Sequence, residues 1–320
     1  MNELDKKTKY RYFLLYSIII AFVLTAWICP ITSNFPGTGI DPSMITGFHL
    51  SDITGLHFGS DLALTYGPLY FLGGPIKYLT GSSSSMLLNI DKSVYFTGNI
   101  LMVIFWFLSI IILFYILFKN LEFGGLKNKI FGITMAATLF CIFLFIRFML
   151  PEVLIILGII ILFDTTVRKN LNLLDQLLLV FDGIILALLI LIKFSYIFAA
   201  LSLIVIFTVF NIISKSYKKI ALLVPVFFIS LFLIWFILEK SFTGLFYYIR
   251  NGLIISGGYS EAVFRELSVF TRYLLFYPII IFIIWLTLLI LSLIKKDKKN
   301  IVFLFLSFPI LFLFFKEGFV

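Results

Sequence analysis

Side chains able to do acid–base chemistry are scarce in this chain, and one polar stretch gathers both histidines with four of the aspartates. Both histidines, His49 and His57, fall between positions 31 and 97, together with Asp41, Asp52, Asp61 and Asp91. The same stretch carries the peptide GLHFGSDLALTYGPLYFL, whose glycines and proline mark turns. His49 and His57 with Asp52 or Asp61 invite a divalent-metal reading. Their eight-residue separation matches no ligand spacing, so the expectation is no metal site and no cofactor, with a divalent cation at these side chains as the open alternative. A second polar stretch, 239–271, holds Arg250, Arg265 and Arg272 beside Glu261, Glu266 and the peptide SGGYSEA.

Each of these residues also has a purely structural reading. Asp41 precedes Pro42, the pairing of an N-cap with a first-turn proline. Asp61 follows Gly-Ser and suits a turn, Asp52 suits the wet face of a surface helix, and the arginines suit anchors at a membrane interface. Cys29 and Cys141 lie in apolar runs and read as buried small hydrophobes rather than a disulfide or metal pair.

The elements that must position these groups are greasy. Apolar residues make up 62% of the 320 and charged residues only 13%, about half the share of a soluble domain. Forty phenylalanines and long Ile/Leu runs make lipid the solvent for most side chains. The net charge of +9 sits in short clusters between apolar runs, a topology pattern rather than a nucleic-acid surface. Nine runs predict membrane-spanning helices: 12–30, 98–118, 130–148, 152–167, 173–192, 195–213, 220–238, 272–294 and 301–315. The expected fold is therefore an all-α polytopic transmembrane bundle of about nine spans, with no soluble domain and no repeat.

Lysine and arginine set the orientation. Placing the N-terminus in the cytoplasm puts 16 of the 25 basic residues in short internal loops, among them Lys6, Lys127, Arg168, Lys219 and Lys298. The segments 31–97 and 239–271 then face outward from the plasma membrane. The first run, 12–30, is too long for a signal-peptide core and no small-residue cleavage site follows it. The chain is thus read as 1–30, an N-terminus and first span; 31–97, an external loop; 98–238, spans two to seven; 239–271, a second external loop; and 272–320, the last two spans. It stops directly behind a helix, as a fragment of a longer protein would. Within the first loop, Pro42–Thr54 predicts a surface helix closed by Gly55, and 69–79 a second one after the Tyr66-Gly67-Pro68 turn. Charges inside spans are few: Asp182 lies deepest, with a hydrogen bond to a neighbouring helix as its expected role, and Lys193 sits at an outer helix end.

A long first external loop with two surface helices, an acidic residue near its start and a Pro-Leu turn further on resembles the GT-C-fold membrane glycosyltransferases. The matching residues are Asp41, the helix Pro42–Thr54, Gly55 or Gly59, and Tyr66-Gly67-Pro68-Leu69; the paired acidic signature of that superfamily is missing, since Pro follows Asp41. The peptides HFGSDLALTYGPL and GYSEA look closer still to poorly characterised bacterial polytopic membrane proteins, a likeness that brings no activity with it. The GT-C resemblance implies transfer of a sugar from a polyprenyl-phosphate-linked donor to an envelope glycan, lipid or protein acceptor. It implies a base, Asp41 first and Asp61 second, and a donor-phosphate site at Arg250, Arg265 and Arg272, with His57, Tyr66 and Lys193 as further candidates. A transporter or flippase of envelope precursors using Asp182 and Lys193, or a glycan polymerase or ligase, stands beside it.

Overall fold

The computed structural model describes residues 3–28, 54–72, 92–122, 150–262 and 276–317. In chain order these form α1 (Glu3–Ile28), a 3-10 turn (Tyr70–Leu72), α2 (Lys92–Glu122), α3 (Leu150–Val167), α4 (Leu173–Ile192), a second 3-10 turn (Phe194–Tyr196), α5 (Ile197–Ile213), α6 (Tyr217–Glu239), α7 (Phe242–Ala262), α8 (Phe276–Ile294) and α9 (Lys298–Glu317). No β-strand occurs among the described residues. Among the described residues five helical stretches are long and apolar enough to cross a membrane: Ile100–Phe118, Leu150–Val167, Leu173–Ile192, Phe194–Ile213 and Tyr217–Glu239. Along α6 the outward residues are themselves apolar, including Phe228, Ile229, Leu233 and Ile237, which suits a lipid neighbour and not water.

The chain divides into two compact units. The first comprises Met1–Leu56 and Tyr70–Leu157, the second His57–Leu69 and Gly158–Val320. In the first, α1 lies along α2, with Phe13 stacked on Phe118 at 6.2 Å and Tyr16 set edge-on to the same ring. In the second, α4 packs chiefly on α6, and α5 touches both. The pair α8–α9 leans on α5 through α9, with Phe210 meeting Phe305 at 5.8 Å. Trp285 of α8 ties the pair together by donating to the Leu304 carbonyl at 3.0 Å.

Helix ends in the second unit are closed by side chains as sequence chemistry dictates. Asn172 and Asp175 form a capping box at the start of α4: the Asp175 N–H donates to Asn172 Oδ1 at 2.8 Å and the Asn172 N–H to Asp175 at 3.3 Å. Asp297 accepts from the Lys299 and Asn300 N–H groups at the start of α9. Buried Lys219, in the first turn of α6, donates through Nζ to the Thr165 and Arg168 carbonyls at 2.7 and 2.6 Å, filling acceptors at the end of α3. Arg168 in turn is clamped by Asp164 at 2.9 Å and reaches Asp175 at 3.5 Å.

The structure refines several expectations. The 239–271 stretch is not a plain loop, because α7 occupies Phe242–Ala262. Of the second surface helix expected at 69–79, the described part is the single 3-10 turn Tyr70–Leu72. Gly55 has φ +71, as a helix-closing glycine should, while residues 42–53 and the run 130–148 lie outside the described residues. Among the described residues the Asp182 carboxyl has no hydrogen-bond partner, contrary to the structural bond expected of it.

Lys219, which fills carbonyls at the end of α3, gives a direct test. Lys219→Met strips two charge-assisted bonds and leaves two helix-end carbonyls unfilled, a loss of about 2–3 kcal/mol. Thermal unfolding in detergent should show a clearly lowered midpoint, whereas exposed Lys218→Met should melt like the parent.

Candidate functional site

An α-helix ends with four carbonyls that have no partner within it. At the end of α4 all four are filled, and the fillers are what build the site. The Lys193 N–H takes Leu189 O at 3.2 Å, Tyr248 Oη donates to Ile190 O at 2.8 Å, Leu69 N–H donates to Leu191 O at 3.0 Å, and Gly67 N–H donates to Ile192 O at 3.1 Å. Lys193 is extended, which ends α4 and lets Tyr66 bridge to it in antiparallel fashion. The Thr65–Leu69 peptide is thereby bound to a helix end by its own backbone.

Close approach explains the small residues. A Cβ on Gly67 would stand 2.2 Å from Leu191 O, and one on Gly252 2.3 Å from the Phe194 ring. Tyr248 of α7 is fully buried between Trp235 and Phe194, at 5.3 and 5.8 Å between ring centres. Burial pushes its phenol well above the usual range, so it stays a donor to α4.

Upstream, His57–Leu62 forms a tight loop. Asp61 and Leu62 donate their N–H groups to His57 O at 3.0 and 3.1 Å, and the Asp61 carboxylate accepts the His57 N–H at 2.9 Å. Gly59 sits at φ +88 with its Cα against α7, where a Cβ would be 2.2 Å from Gly244 O. Asn251 donates to Gly59 O at 3.2 Å. The loop lands on Glu239, the last residue of α6, which is buried. Its Oε2 accepts the Phe58 N–H at 3.1 Å and lies 3.3 Å from His57 Nδ1. A carboxylate at a helix C-terminus opposes the helix dipole, so these partners stabilise a charge the helix alone would disfavour.

His57 carries the chemistry this arrangement allows. Its side chain is 56% exposed although Nδ1 faces a buried carboxylate. With Nδ1–H donated to Glu239, Nε2 is the basic nitrogen and can accept a proton from an incoming hydroxyl. Lys193 Nζ stands 5.5 Å from the centre of the Tyr66 ring, a cation–π distance. Arg250 is exposed on α7, next in sequence to Asn251.

Of the residues singled out from sequence, His57, Asp61, Tyr66, Lys193 and Arg250 all fall in the second unit. The structure joins His57 to Asp61 through a turn and Tyr66 to Lys193 through a bridge; Asp61 is engaged in holding the loop. Asp41, Arg265 and Arg272 lie outside the described residues. Glu239, Tyr248 and Asn251 were missed by sequence reasoning. Glu239 had a faint signal, as a carboxylate that ends a long apolar run. Among the described residues no group of three metal-ligating side chains is found. No family model, no curated protein and no solved structure matches the chain.

The anchoring of the loop can be measured. Gly67→Ala forces a Cβ into Leu191 O, an overpacking cost of about 1–3 kcal/mol. Hydrogen exchange of the 57–69 peptide should accelerate and the melting midpoint fall, while Ser60→Ala, at an exposed position, should change neither.

Proposed function

We propose that the chain is a multi-pass enzyme of the bacterial plasma membrane, with its N-terminus in the cytoplasm and about nine spans in the full bundle. It transfers a sugar from a polyprenyl-phosphate-linked donor to an envelope glycan, lipid or protein acceptor at the outer face. The observation that carries this reading is the exposed His57 imidazole backed by buried Glu239, on a loop fixed to the ends of two apolar helices. Resemblance to GT-C glycosyltransferases adds the donor class, and neither a cofactor nor a metal is invoked.

In this reading the acceptor hydroxyl gives its proton to His57 Nε2 as its oxygen bonds to the anomeric carbon. The bond from that carbon to the donor phosphate breaks, and its electron pair leaves with the phosphate. Glu239 stabilises the imidazolium through Nδ1. Arg250, with Arg265 and Arg272, neutralises the departing phosphate, and Asp41, the base that the resemblance assigns, is the alternative acceptor of the same proton.

A test uses the purified full chain with a panel of short-chain polyprenyl-phosphate hexoses, reading release of polyprenyl phosphate. His57→Ala and Glu239→Gln should insert normally and lose about 10²–10⁴-fold in rate, the usual weight of a general base. Asp41→Asn and Asp61→Asn should lose transfer too. Unchanged release in all four variants, or no release from any donor, removes the transferase reading. One observation favours a second reading, a transporter or flippase of envelope precursors: Asp182 is wholly buried and its carboxyl has no hydrogen-bond partner among the described residues. There Asp182→Asn and Lys193→Ala would stop transport and the loop aspartates would not matter. A glycan polymerase or ligase shares the chemistry of the first reading.

A further inference from the structure

Asp182 lies at the middle of α4, nine residues past Leu173 and ten short of Ile192. Its accessible surface is 0%, and among the described residues neither carboxylate oxygen has a hydrogen-bond partner. Oδ1 sits 2.9 Å from where a Cβ on Gly158 would stand, so the group rests on the bare backbone of α3. Next to it Gly183 presses on α6, with a Cβ position 3.1 Å from Leu223 O. The carboxyl is therefore enclosed by closely approached helices.

Among the described residues no counter-charge reaches it. On its own helix Asp175, seven residues away, is taken up by Asn172 and Arg168. On α3 the ionisable groups are Glu152 and Asp164, with Arg168 just past its end; the two acids stand six residues from Gly158 on either side, about 9 Å along the axis. α5 has no charged residue. On α6 they are Lys218, Lys219 and Glu239, all at its ends, with Lys219 spent on two carbonyls and Glu239 on Phe58. An ionised Asp182 would be a buried charge without a partner, and a neutral one keeps an unused hydroxyl donor. Both are costly where an apolar side chain would be free of cost, which marks an intramembrane acid retained for a task.

We propose that the Asp182 carboxyl is a proton-binding site in the helical core of the second unit. A hard metal cation needs about six oxygen ligands, and a lone carboxyl offers two. A proton needs one oxygen. Binding is RCOO⁻ plus H₃O⁺ giving RCOOH plus water, with no redox change. Emptying the site requires that water reach Asp182 when α3 or α6 shifts, so proton occupancy reports helix movement. The inference does not depend on the transferase reading.

The test is infrared pH-difference spectroscopy on the full chain in lipid vesicles. A carbonyl band of an un-ionised acid should be present, diminish reversibly as the pH is raised, and vanish in Asp182→Asn and Asp182→Leu. Asp182→Leu should melt no lower than the parent, since it removes an unsatisfied group; a large fall would indicate a structural role and count against the proposal. A band that is missing, that ignores pH, or that persists in both variants overturns it. If neither variant folds, mapping of dicyclohexylcarbodiimide adducts on the unaltered protein decides. In that reaction the acid proton moves to a carbodiimide nitrogen while the carboxyl oxygen bonds to the central carbon, and acyl shift leaves a stable N-acylurea. An adduct at Asp182 that falls several-fold with rising pH supports the site; its absence, or an adduct independent of pH, sinks it.

Discussion

The second unit depends on how the end of α4 is satisfied. In an apolar surrounding an unfilled carbonyl costs several kcal/mol, and a helix end presents four of them together. Water is the ordinary remedy at a protein surface. Here the remedy comes from three separate parts of the chain: the extended Lys193, the 65–69 peptide, and the phenol of Tyr248 on α7. Because each partner is fixed by its own packing, the helix end acts as a joint at which the loop, α4 and α7 meet. Gly67 is small because the joint leaves no room for a Cβ, and Gly252 because Phe194 fills the space beside Tyr248.

The same accounting separates the two kinds of charge buried in this unit. Asp164, Arg168, Asp175 and Lys219 form a cluster in which opposite charges and helix-end carbonyls are matched. Such a cluster stabilises folded structure chiefly by not leaving anything unpaired. Glu239 follows the rule as well, since its carboxylate has the Phe58 N–H and the His57 ring against it. Asp182 breaks it, and no described neighbour offers compensation. Beside the matched charges of this cluster, the unmatched Asp182 carboxyl carries more weight than it would in a loosely paired core.

Much of the helical frame was legible because lipid-facing and core-facing residues are both apolar, and length alone then marks a span. α4 appears at its predicted limits, 173–192, since the Asn172–Asp175 box opens it and Lys193 leaves helical geometry. α6 begins earlier than the apolar run, at Tyr217, because Lys218 and Lys219 are polar yet perfectly good helix formers. α7 was hidden by its glycines. Gly244 and Gly252 are contact points that let the Phe58–Gly59 backbone and the Phe194 ring come close. Their meaning is set by partners far away in sequence, which local pattern cannot supply. For the same reason Asp61 was legible as a turn former while Glu239, 182 residues from its histidine, was not.

The chemistry proposed for the loop and its anchorage are parts of one constraint. Imidazole is useful as a base only if one nitrogen is held and the other is left to the solvent side. Free loop histidines tumble through many rotamers, and ordering them costs entropy at each encounter with substrate. In this chain that ordering is done during folding: Glu239 takes the backbone of Phe58 and the ring of His57 together, Asn251 holds Gly59, and Asp61 closes the turn from behind. Downstream, the α4 joint fixes Thr65 to Leu69 so the loop cannot slide along the helix ends. A segment that merely linked two spans would need none of these contacts. Their concentration on thirteen residues, 57–69, is the physical reason to look for the protein's chemistry there.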